Sequence, residues 1–327
     1  MSETTPPRRV SVVFSLLVSF GLLAAWYGCV AGSADLRFTD ILRALLNGGD
    51  EMTRSIVWEL RLPRVLAGFA VGALLSLAGI LLQTMLRNPL ADPYVLGLSG
   101  GGAIGAIGAM SLGAGLLVTQ GAAALGALTV IVIVVTLGER GSNARLLLTG
   151  AVVASACGAL LTVLLTIVDA PQLRGMVFWL AGDLGWAPEP AWALALALTA
   201  TLVCTLSGRG LNLLASGDLR AASLGLAVPL WRRCILLGSA VLTAFAVVTA
   251  GAIGFIGLIV PHAVRLALRS ADHRMLVPAA ALAGGSLLVI ADAVARSVVA
   301  PRQLPVGAVM ALIGAPLFVA LLRRVSR

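Results

Sequence analysis

All 23 basic residues of the chain are arginines; lysine is absent. A phosphate-binding loop needs a lysine to reach the β and γ phosphates of a nucleotide. The chain therefore has no such loop, and any ATP that drives it is split by another chain. His262 and His273 lie eleven residues apart with no second ligand near either. Cys29, Cys157, Cys204 and Cys234 are scattered through apolar stretches without ligand spacing. Neither a metal centre nor a disulfide framework is expected, nor any cofactor. The cysteines read as small buried hydrophobes, and His262 is expected to cap backbone groups after Pro261. Asp292 is the one acid deep in an apolar stretch, too little for an enzyme's acid–base cluster or for the relay of an ion-driven carrier. Burying it costs roughly 2.5–3.5 kcal/mol, so it needs a partner, and Arg296, four residues on, faces it from the same side of a helix.

The elements that must hold these residues are membrane helices. Of 327 residues, 59% are hydrophobic and 11% charged, and mean hydropathy is +1.03. A soluble domain carries about 25% charged residues; this chain's exterior must instead face lipid. The net charge of +9 does not mark a nucleic-acid surface, because the arginines stand singly or in pairs between apolar runs. With 37 glycines and 5% aromatics, the composition suits helices packed through small residues. Runs free of charge cover 10–34, 65–86, 93–138, 146–168, 190–208, 234–264, 275–291 and 303–322. About 20 apolar residues cross the hydrocarbon core. The 93–138 run is long enough for two helices broken near Gly113–Gly115, and 234–264 for a full helix and a shorter one. Ten spans are expected, with eight as the floor. The fold class is all-α and polytopic, one transmembrane domain over 1–327.

The first apolar run, behind Arg8 and Arg9, is too long for a signal-peptide core and reads as a retained helix. With ten spans and a cytoplasmic N-terminus, Arg37, Arg43, Arg54, Arg61, Arg64, Arg174, Arg296 and Arg302 fall outside. The other fifteen, Arg140 and Arg327 among them, fall inside, as the positive-inside rule requires. Both termini are then cytoplasmic. Ala78-Gly79, nine residues, then Pro89 recurs as Ala250-Gly251, nine residues, then Pro261. Two inverted five-helix repeats, about 10–168 and about 190–325, are the expectation this echo suggests.

Three motifs stand out: Arg61-Leu62-Pro63-Arg64 … Gly79 … Gln83 … Asn88-Pro89-Leu90-Ala91-Asp92-Pro93 … Leu96-Gly97; Gly254-Phe255-Ile256-Gly257-Leu258-Ile259-Val260-Pro261-His262; and Gln303-Leu304-Pro305-Val306-Gly307 … Gly314-Ala315-Pro316. Pro89 and Pro93 end one helix and start another, with Asn88 and Asp92 placed to cap freed backbone groups. In Gly217-Asp218-Leu219-Arg220-Ala221-Ala222-Ser223-Leu224-Gly225, Asp218 reads as an N-cap and Gly225 as a C-cap. This short helix, within a connection over 213–228, can seat in a groove of a soluble partner or lie on its own bundle. Gly97, Gly101 and Gly105, four apart, let another helix approach closely.

Together the three motifs resemble the permease family of type II ABC importers, which carry vitamin B12, haem and ferric siderophores, from about residue 10 to the C-terminus. The resemblance implies a multi-pass protein of the bacterial inner membrane, a homodimer with a central pathway. It also implies two cytoplasmic ATP-binding-cassette ATPases and a periplasmic substrate-binding protein as partners. By resemblance, Asp218, Arg220, Ala221, Ala222, Ser223, Leu224 and Gly225 couple to the ATPase, and Arg61, Arg64 and Arg296 dock acidic side chains of the binding protein. Read alone, these arginines are solvated charges, or in Arg296 the ion-pair partner of Asp292. Arg174, among Met176, Phe178 and Trp179 in an outer segment, either attracts substrate carboxylates at the pathway mouth or anchors at the membrane interface. Gln303 stands where the family usually has Glu. The expected function is import of an iron complex by alternating access, haem before a ferric siderophore. A vitamin B12 importer of the same family is the alternative, and a secondary transporter or channel the alternative of another class.

Overall fold

A computed structural model describes residues 7–32, 37–46, 48–138, 143–186 and 190–325, and every regular element among them is helical. Arg140, Arg327 and both chain ends, on which the orientation argument draws, lie outside the described residues.

Helix α1 (Pro7–Val30) is followed by α2 (Phe38–Leu45) and α3 (Glu51–Ser55), then a π-helical turn, Ile56–Arg61, that runs straight into α4 (Leu62–Leu86). Pro63, in the first turn of α4, has no N–H to give the carbonyls of the preceding turn, and the rod passes it just after its π-helical stretch. Past α4, Arg87 turns left-handed at φ 51°. The Asn88 side-chain oxygen accepts from Leu90 N at 2.9 Å, and Asp92 caps the 3-10 turn Pro93–Leu96 through Tyr94 N at 2.8 Å. Then come α5 (Leu98–Ser111) and α6 (Leu116–Gly138), broken at the glycines the sequence marks, followed by α7 (Asn143–Ile167) and α8 (Ala170–Leu180). Next, α9 (Pro190–Leu206) and α10 (Gly208–Ala215) meet at a 62° bend. The chain continues through α11 (Asp218–Ser223), α12 (Val228–Ala250), α13 (Ile256–Leu268), α14 (His273–Ser297) and α15 (Val306–Val325).

Six of these helices are long and apolar enough to cross a membrane, the bent α9–α10 pair makes a seventh, and α13 and α15 are shorter apolar helices. Adding α5 gives about ten, the number expected from sequence. They are not equivalent. The most apolar window of the α3–α4 rod is 89% buried, whereas that of α1 is 6% and that of α7 11%. A helix apolar all round belongs in the centre of a bundle, and α4 is that centre, packed against α9, α12, α13 and α14.

Small residues bring the helices together. A Cβ on Gly101 would strike Gly126, one on Gly105 would strike Ala122, and one on Gly79 would meet the Gly257 carbonyl. Gly257 also explains how Pro261 fits. Pro261 lies inside α13 rather than at a break, and lacking an N–H it cannot bond the carbonyl four residues back. That carbonyl, of Gly257, accepts from Gln83 Nε2 at 3.0 Å instead. The break falls earlier, at Gly251 and Phe255, both with φ 70°. Among the described residues His262 makes no capping bond, its Nε2 being enclosed without a partner. Of the two copies of the sequence echo, Ala78-Gly79 lies within α4 and Ala250-Gly251 closes α12. Three cysteines are buried as expected, but Cys234 is exposed.

Candidate functional site

Helix α4 carries a polar cluster at each end, and at 25 residues with about 1.5 Å rise per residue it holds them on opposite sides of the apolar layer. At its N-terminal end Arg61, Arg64 and Arg296 converge, with Arg61 and Arg296 each 5% exposed. The last carbonyls of α1 have no partner within their helix, and these two arginines supply one. Arg61 Nη1 donates to the carbonyls of Cys29 at 2.7 Å and Val30 at 2.9 Å. Arg296 reaches Ala31 O at 2.6 Å and Gly28 O at 2.9 Å, while its Nε donates to Asp292 at 2.9 Å. The expected Asp292–Arg296 pair is thus present, but the expectation of solvated arginines fails for Arg61 and Arg296. Cations belong at a helix C-terminus, and the end of α1 takes both.

Arg64 is the hub. Its Nε lies 3.1 Å from both oxygens of Asp292 and its Nη2 2.9 Å from Oδ1. Nη2 also reaches Asp183, after α8, at 3.2 Å, and Nη1 the amide oxygen of Gln303, before α15, at 3.3 Å. The guanidinium already holds two carboxylates, so Gln303 adds a hydrogen bond without a third negative charge. A cavity of about 450 Å³ opens here, lined by Glu59, Arg61, Arg64, Arg296 and Gln303 among others. A second, of about 570 Å³, lies on the far side of Gln303 and takes in Arg174, Phe178, Asp183 and Arg302. Arg174 is exposed there, its guanidinium 5.9 Å from the Phe178 ring centre, while Met176 and Trp179 turn into the core. The sequence reading took Asp183 and Arg302 only as outer charges and assigned them no place at the site, since neither stands in a distinctive motif.

At the other end of α4, Gly217 with φ 112° precedes α11 and occupies the cap position. Asp218 is therefore the first helical residue and makes no capping bond, a correction to the sequence reading. Its carboxylate lies 3.3 Å from Arg232 Nη1 and 3.7 Å from Arg87 Nη2. Arg232 also bonds the Asn143 side chain, whose Nδ2 donates to Leu86 O at 3.4 Å. Ala221 packs inward. Arg220, Ala222, Ser223, Leu224 and Gly225 face outward, as does Leu219 at 91% exposure. Gly225, at φ 86°, follows the helix in the left-handed position a terminating glycine takes.

A third polar group joins α4, α10 and α14. His273 is buried, its Nε2 2.8 Å from Thr84 Oγ1 and its Nδ1 2.6 Å from the side-chain oxygen of Asn212, whose Nδ2 donates to Asp272 at 2.8 Å. The Arg274 side chain on Asp272, helped by Asn212, draws that carboxyl down to about 2 against the desolvation that opposes it.

The central helix α4 thus carries an arginine cluster at one end and a short, outward-facing helix near the other. Residues 17–324 match the FecCD transport family, and the chain belongs to it. It is 39% identical over 276 residues to the vitamin B12 import system permease protein BtuC of Escherichia coli O139:H28 (strain E24377A / ETEC), covering 83% of this chain and 84% of that one. The protein of the same name from E. coli strain K12 / DH10B gives the same figures. A solved structure described as an inward-facing conformation of a metal-chelate type ABC transporter superposes with TM-score 0.85 at 30% identity, covering 96% of this chain and 99% of its own. PsaBC from Streptococcus pneumoniae in complex with Fab, at TM-score 0.59, 14% identity and 83% and 94% coverage, shares the fold. The chain is thus an ABC importer permease of the bacterial inner membrane. Its relatives are permease components that work with ATPase and substrate-binding partners and have no ATPase site of their own.

Proposed function

We propose that this chain is the membrane-spanning subunit of a vitamin B12 importer, moving cobalamin from periplasm to cytoplasm by alternating access. One observation carries this reading: 39% identity to the B12 permeases over 83% of the chain. It displaces the expectation of haem, which rested on Arg174 alone. An iron complex stays the second reading, supported by the likeness to a metal-chelate type transporter. The working unit is a homodimer with two cytoplasmic ATPases and a periplasmic binding protein, both chain ends cytoplasmic. In it Arg61, Arg64 and Arg296 frame the docking cavity, Arg174 stands at the pathway mouth, and the 218–225 segment meets the ATPase.

Uptake of labelled cyanocobalamin and of haem into proteoliposomes holding the whole complex tests this. ATP-dependent accumulation of cobalamin alone is expected. Haem accumulation without cobalamin would overturn the substrate, and uptake without ATP hydrolysis would overturn the class in favour of a secondary carrier.

A further inference from the structure

The contacts around Asp218 join four elements remote from one another in sequence. The carboxylate on α11 faces Arg232 on α12 at 3.3 Å and Arg87, just past α4, at 3.7 Å. Arg232 continues to Asn143, the first residue of α7, and Asn143 to the last carbonyl of α4. Little else holds α11 down. It is six residues long, Ala221 is its one buried residue, and Gly217 starts it at φ 112°, a conformation that favours glycine.

These ion pairs are half exposed, at 39% for Asp218, 26% for Arg232 and 44% for Arg87. Pairs of that exposure are individually weak and exchange readily. Among the described residues Asp218 Oδ1 is enclosed and without a partner, and Arg87 Nη2 stands 3.7 Å from Oδ2, just beyond hydrogen-bond reach. Arg87 is itself in the left-handed conformation and opens the non-helical stretch Asn88–Asp92.

We propose that Asp218 is a positioning residue that passes displacement of α11 to the end of α4 through Arg87 and to the start of α7 through Arg232 and Asn143. A docked ATPase that pushes α11 would thereby move both ends in step. The inference rests on the reading of α11 as the coupling element and deepens it.

The test uses the complete complex in nanodiscs, with Cys234→Ser, Leu90→Cys and Leu148→Cys for spin labelling of the 90–148 distance, with and without trapped ATP. The parent protein is expected to show a nucleotide-driven distance change. Asp218→Asn and Arg87→Gln are expected to lose it, with cobalamin moved per ATP falling about fivefold. Arg232→Lys, which keeps a charge for Asp218 but not the second donor to Asn143, should keep only part of the response, and the swap Asp218→Arg with Arg232→Asp should regain part. An unchanged distance response in Arg87→Gln and Asp218→Asn overturns the relay, as does a parent protein whose 90–148 distance ignores nucleotide. If cobalamin is the wrong substrate, transport is absent in every variant, while the distance readout still decides the relay.

Discussion

Arg64 grips Asp292 with both Nε and Nη2 across 228 positions of sequence. One carboxylate thereby pairs with two guanidiniums, those of Arg64 and Arg296, and pins α4 to α14 beside the end of α1. Removing it leaves buried Arg296 with no carboxylate and Arg64 with Asp183 alone, so Asp292→Ala should cost about 3 kcal/mol. Asp183→Asn removes only the more open contact of Arg64 and should cost about 1 kcal/mol or less. Thermal unfolding in detergent compares the two, and equal losses would show that Asp292 is not the keystone.

Glycine substitutions separate close packing from open space. Gly79→Ala drives a methyl group into the Gly257 carbonyl, which Gln83 already uses. A loss of folded yield is expected, since neither backbone can retreat. Gly108, on α5, has nothing within 4 Å of its added Cβ, and Gly108→Ala should stabilise by about 0.5–1 kcal/mol through helix propensity. Fluorescence size-exclusion yield and melting temperature read both, and a tolerated Gly79→Ala would refute the close crossing of α4 and α13.

Helix number and the break between α5 and α6 were legible in the sequence, because charge-free runs and glycine clusters act within a few residues. The long-range pairings were not. For Asp292 the spacing of four to Arg296 offers a ready partner, and nothing local points to Arg64. The missing N–H of Pro261 is visible in sequence, whereas the Gln83 amide that compensates is 174 positions away from the freed carbonyl. The burial of Arg61 and Arg296 likewise depends on where α1 ends in space. Asp218 fits a cap by residue type, but Gly217, which can adopt φ 112°, takes that position.

Asp272 gives a pH signature. Its carboxyl is drawn to about 2, first by the Arg274 side chain. A carboxyl depressed in the folded state adds stability that is full above its unfolded value near about 3.9 and is lost as pH falls through the folded value. The melting-temperature gap between the parent and Asp272→Asn should therefore be level down to about pH 4 and close toward about pH 2. A gap that widens on acidification would contradict the Arg274 contact.

The outward face of α11 predicts uncoupling. Ala222 is exposed between Leu219 and Leu224, at 91% and 59% exposure, and a bulky side chain there would hold a partner's groove off both leucines. Ala222→Trp should leave the fold intact, cut cobalamin moved per ATP about tenfold and weaken retention of the ATPase subunits on purification. Normal transport and normal retention would place the ATPase elsewhere.

The outer arginines need a gentler test than charge reversal. A glutamate at Arg61 or Arg296 would face the α1 carbonyls those side chains now cap, so loss of binding could not be told from loss of fold. Glutamine keeps a donor and removes the charge. Arg61→Gln, Arg64→Gln and Arg296→Gln should each slow association of the loaded binding protein severalfold at low salt, because the positive field of the cavity they frame acts mainly on on-rate and orientation. The effect should shrink as the screening length falls from about 30 Å at 0.01 M to about 8 Å at 0.15 M salt. Dissociation should change less. Stopped-flow or interferometry on nanodisc-held permease at both ionic strengths provides the measurement, with melting temperature as the control for fold. If all three variants melt like the parent and associate at its rate at both salts, the cavity they frame is not where the binding protein docks.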